Sequence, residues 1–115
     1  MEQRGHEALG GAALEDVRVA VYSSLATTGR LPSDAALGVI AGGHDRVASA
    51  IATLAEQRAW ALGPDGSIVL AHPFATRSFG YSVMSQQTLW WGGCAWDSFA
   101  IPHLVPGCGP VVIAG

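Results

Sequence analysis

Cys94 and Asp97 are the residues of this chain whose types and spacing are best suited to chemistry. Cys94 follows Gly92-Gly93, a pair that lets the backbone turn sharply, and the residues after it read as the first turn of a helix. Unpaired N–H groups and the positive end of the helix dipole favour a thiolate there. The thiolate is the form that attacks electrophiles and binds soft metals. Asp97, three residues on, shares a helical face with Cys94. A carboxylate there opposes thiolate formation by like-charge repulsion but can accept or deliver a proton. The spacing therefore suits a proton relay beside a sulfur better than a plain nucleophile. By itself Cys-x-x-Asp is common, and the bland alternative is a buried packing cysteine.

Other candidates carry less. Trp90, Trp91 and Trp96 are core residues or, for Trp91 and Trp96, the walls of a pocket for an alkyl or aryl group. His103 is a helix-end histidine, His44 lies near the start of a helix, and His72 lies in a loop. Neither His44 nor His72 has metal-ligand spacing to a partner. Gly42-Gly43 lacks the Lys-Ser/Thr of a phosphate loop. Cys108, in a Gly/Pro loop, is the other thiol and a second candidate ligand for a metal held by Cys94.

The elements that must position these residues are readable from periodicity. Leu14, Val17, Val21 and Leu25 recur at helical spacing, which predicts a helix over 13–27, stopped by Gly29. Ser33 caps a short second helix that buries Leu37 and Ile40 and ends at Gly42-Gly43. A third helix over 45–58 buries Val47, Ile51 and Leu54. Two short apolar runs, 60–62 and 67–70, flank Pro64-Asp65-Gly66 and predict a hairpin. Three helices and a hairpin make a winged helix-turn-helix. His72-Pro73 then marks the boundary. Beyond it the pattern predicts a strand through Phe79, Tyr81 and Val83, a turn at 85–87, a returning strand over 88–91, and a helix from Cys94 that Pro102 bends or shortens. A final strand covers 111–114. The expected fold class is α+β: a leader over 1–12, a winged-helix domain over 13–71, and a short mixed β/α segment over 72–115.

Composition narrows the function classes. Half of the 115 residues are hydrophobic, many of them alanine, which argues for a folded chain with few large core side chains. Net charge is −3, and the six cations are all arginine, dispersed from Arg4 to Arg77. Asp45, Arg46, Glu56 and Arg58 give the third helix a balanced surface, which argues against nucleic-acid binding. No apolar run reaches the roughly 18 residues of a membrane span. The polar N-terminus is unlike a secretory signal, so the expected compartment is the cytoplasm, with both thiols reduced.

The stretch from Leu89 to Leu104, LWWGGCAWDSFAIPHL, resembles the active-site segment of the organomercurial (alkylmercury) lyases. In that family an aromatic strand runs into a Cys-Ala-x-Asp helix start, followed by a hydrophobic turn, a proline and a leucine, behind a winged-helix-like domain. The resemblance covers 31–115 and is sharpest over 90–104. It implies protonolysis of carbon–mercury bonds to a hydrocarbon and Hg(II), with no organic cofactor. It implies Cys94 as mercury ligand and Asp97 as the proton-handling group. The family's second catalytic cysteine lies well downstream of the aspartate, whereas this chain ends at Gly115 and offers only Cys108. A fragment and a shortened relative fit that departure equally. Three readings follow: a lyase acting on an organomercurial, a non-enzymatic module binding Hg(II) or another soft metal, and a winged-helix DNA-binding regulator. Apolar surface left bare by a missing core would favour a homodimer.

Overall fold

The computed structural model describes residues 10–115. Of the expected 1–12 leader, residues 1–9 lie outside the described residues, and the rest belongs to the first helix, α1 (Gly10–Thr28). Val17, Val21 and Leu25 are fully buried along one stripe of α1, as their spacing requires. Burial of side chains this size contributes about 1.5–3 kcal/mol each. Helix α2 (Asp34–Ala41) starts where Ser33 Oγ accepts the Ala36 N–H at 3.1 Å, and ends at Gly42 in the left-handed conformation. Helix α3 (His44–Arg58) buries Val47, Ala50, Ile51 and Leu54 against the other two.

The strands are β1 (Ala61–Leu62), β2 (Ile68–Ala71), β3 (Phe74–Ala75), β4 (Tyr81–Met84), β5 (Leu89–Gly92) and β6 (Val112–Ala114). They form a single six-stranded sheet of order β1-β2-β3-β5-β4-β6, antiparallel throughout. Helix α4 (Ala95–Leu104) lies between β5 and β6 in sequence. The described chain is thus α+β, with four helices and one sheet. Among the described residues no helix is long and apolar enough to cross a membrane.

The β1–β2 hairpin turns at Pro64-Asp65-Gly66, as its composition requires. Asp65 Oδ1 accepts from both the hydroxyl and the N–H of Ser67. The Ser67 hydroxyl first, and its N–H second, hold the Asp65 carboxyl below the usual carboxylate range. This support is complete above that range and fades as pH falls through the lowered value.

Two expectations need correction. The boundary expected at His72-Pro73 is not a break in the sheet. β2 and β3 pair across it (Ala71 with Phe74), and β3 continues the ladder into β5 (Phe74 with Gly92). Pro73 is the second residue of the two-residue turn that joins β2 to β3. The strand expected through Phe79 starts only at Tyr81, and Phe79 is exposed under the Arg77 guanidinium.

Helix α1 is tied to β5 at a tight spot. Trp90, 2 % exposed, donates its indole N–H to Ala26 O at 3.0 Å, joining β5 to the end of α1. Beside it Gly29, at φ +75°, packs so closely that a Cβ would stand 2.1 Å from Leu89 O. Gly29→Ala therefore combines a left-handed alanine with a backbone clash and is expected to cost about 2–4 kcal/mol in urea unfolding. Gly66→Ala, at φ +83° with open space around it, is the control and is expected to cost about 1–2 kcal/mol. Equal losses would mean that the Gly29–Leu89 contact does not matter.

Candidate functional site

Cys94 is the N-cap of α4, in extended conformation, and is exposed. Its thiol does not cap the helix. The first turn is closed instead from the other side, where Ser98 donates both its N–H and its hydroxyl to Cys94 O, each at 3.0 Å. Ser98 is fully buried. The helix sits so low on the sheet that a Cβ on Gly92 would stand 2.1 Å from Ser98 Oγ. A Cβ on Gly93 would stand 2.6 Å from both Asp97 Oδ2 and Leu70 Cδ1. The Gly-Gly pair is therefore required by contact with α4 itself, beyond any need of the turn.

Asp97, with its side chain 17 % exposed, meets His72 across the β2–β3 turn. His72 Nδ1 lies 2.9 Å from Asp97 Oδ2. With the carboxylate ionised, the Nδ1–H donates and the free Nε2 is left to exchange protons. The imidazole is half exposed, and an ion pair in such a place is worth about 0–1 kcal/mol. The contact therefore does little for stability, but it sets an imidazole against a carboxylate at the end of α4 that carries the thiol. His72 is held from behind: its carbonyl accepts from Tyr22 OH at 3.1 Å, and Tyr22 OH accepts from Trp60 Nε1 at 3.0 Å. Tyr22 also packs edge-on against Trp60 and tilted against Phe74.

The structure thus brings Asp97 to His72 at the start of α4, beside the N-cap Cys94, and leaves Cys108, Trp91 and Trp96 elsewhere. Cys108 Sγ lies against Pro102 O and Gly109 O, at the far end of α4. Pro102 lies eight positions after Cys94 along the helix, a rise of about 12 Å, beyond the reach of a shared ion or a disulfide. Helix α4 runs two residues past Pro102 rather than ending there. Trp91 cannot join Cys94 in a pocket. Gly92 faces α4, so Trp91 points to the opposite face of the sheet, where it lines a groove with Leu31, Thr76 and Leu89. Trp96 is 82 % exposed, neither core nor pocket wall. Trp90 alone of the three is core. Among the described residues no three His, Cys, Asp or Glu side chains converge as a metal cage.

His72 is the residue that sequence reasoning passed over. Its partner lies 25 positions away, and the available signal was its place before a proline at the edge of a segment ending in a Cys-x-x-Asp helix start. Comparison with protein-family models, curated proteins and solved structures gives no match.

This placement makes the two thiols unequal. In the folded protein, Ellman's reagent is expected to react with Cys94 in a fast phase and with half-buried Cys108 in a slower one. Cys94→Ala should remove the fast phase and shift unfolding by no more than about 0.5 kcal/mol. A fast phase that survives Cys94→Ala would contradict the exposure described.

Proposed function

We propose that the chain is an organomercurial-lyase-like protein in which Cys94 is the sole protein sulfur on mercury and the Asp97–His72 pair delivers the proton. The observation that carries this reading is the Asp97–His72 hydrogen bond at the helix start that bears an exposed thiol. The resemblance of 89–104 to the lyase segment supports the same assignment of Cys94 and Asp97.

The reaction runs in two steps. The Cys94 thiolate displaces a ligand X from R–Hg–X, giving R–Hg–S and free X⁻; sulfur is a soft donor matched to a soft metal. The R–Hg bond then breaks with its electron pair going to carbon, and that carbon takes the proton held between Asp97 and His72. The hydrocarbon leaves, Hg(II) stays on sulfur until a small thiol from solution removes it, and solvent returns the proton to the pair. No electrons change hands overall. With Cys108 out of reach, the remaining ligands on mercury come from solution.

In this reading α1–α3 and the β1–β2 hairpin retain the element order of a winged helix-turn-helix and serve as a scaffold, their hairpin drawn into the common sheet. The evenly charged surface of α3 gives a DNA-binding role nothing to rest on.

The test is benzene release from a phenylmercury salt with excess small thiol. Release is expected for the native chain, to vanish with Cys94→Ala, to fall about 100-fold or more with Asp97→Asn, and to be unchanged by Cys108→Ala. Mercury bound one-to-one without benzene would instead establish a thiol module that stores the metal. Loss of activity on Cys108→Ala would overturn the single-sulfur mechanism.

A further inference from the structure

A cavity of about 570 Å³ opens beside His72, walled by Arg18 and Tyr22 of α1, Arg58 at the end of α3, Phe74 of β3 and Leu104 of α4. Its volume suits a single small organic molecule. Two of the chain's six cations, Arg18 and Arg58, line it, and among the described residues no carboxylate does. Glu15 lies just outside, where it accepts from Arg18 Nε at 2.9 Å and from Arg18 Nη2. A guanidinium has five N–H donors, so three on Arg18 remain for a ligand. Tyr22, half-buried, is the aromatic side chain the cavity offers a ligand, because Phe74 is only 2 % exposed. Guanidiniums beside an aromatic ring suit a planar carboxylate.

We infer that this cavity binds a small aromatic carboxylate, with Arg18 and Arg58 on the carboxylate and Tyr22 against the ring. His72 lines the cavity and holds Asp97 through Nδ1, so a ligand there lies next to the proton-handling pair. The carboxylate site stands on its own lining. Its role in catalysis rests on the reading of Cys94 above: the cavity takes the organic group, and organomercurials bearing a carboxylate are preferred over neutral ones.

Benzoate, which carries no mercury, separates the two claims. Titrated into the native protein and followed by the NMR shifts of Tyr22, His72 and Phe74, it is expected to bind at least about tenfold more tightly than benzyl alcohol. Arg58→Gln and Arg18→Gln are each expected to remove most of that preference, while Cys94→Ala keeps it. Equal affinity for acid and alcohol, binding of neither, or a preference that survives both arginine changes would overturn the assignment. If benzoate binds as expected but no organomercurial is cleaved, the cavity stands and the lyase reading falls.

Discussion

Helix α4 reaches the sheet only because two consecutive residues, Gly92 and Gly93, have no side chains. Each would drive a Cβ into α4, one into the Ser98 hydroxyl and the other into the Asp97 carboxylate. Overpacking at a buried contact costs about 1–3 kcal/mol, and here the displaced atoms belong to the helix that carries the thiol. The approach fixes three things together. It buries Ser98, which closes the first turn on Cys94 O. It lowers Asp97 onto the β2–β3 turn, within hydrogen-bond distance of His72. It also leaves the N-cap itself at the rim, so Cys94 is exposed while Ser98 is buried. A larger residue at either glycine would lift the helix and separate Asp97 from His72 before it disturbed the rest of the fold.

The helices were legible because their signal is local. Val17, Val21 and Leu25 announce a buried stripe through a period of 3.6 residues, and Ser33 and Gly42 mark a start and a stop by their own side-chain chemistry. The sheet was legible only in parts. β3 has two residues, too few to show alternation, and it hides behind a proline that reads as a breaker. Its pairing with β5 brings together residues 18 positions apart (Phe74 with Gly92), and local pattern carries no trace of that. Pro73 misleads for the same reason: a break in the sequence pattern and a break in the sheet are different things.

At the site, Cys94 and Asp97 were legible because three residues on a helix define a face. His72 was not, because its role depends on a turn folding over a helix 25 residues later. Cys108 and Trp91 show the opposite error. Nearness in sequence made them candidates, but Cys108 is carried to the far end of α4, and strand alternation sends Trp91 through to the other face. The arginine-lined cavity drew on α1, α3, β3 and α4 at once, and only the folded chain assembles it.

Trp96 touches none of this machinery, yet its position has an optical consequence. Two of the four indoles, Trp60 and Trp90, are sealed in the core, and Trp91 is partly covered, whereas Trp96 stands in water two residues from the thiol. Its emission is therefore the red-shifted component of the intrinsic fluorescence. A heavy atom taken up by Cys94 would quench that component and spare the two buried rings. The molecule thus carries its own unlabelled gauge of whether the sulfur is occupied.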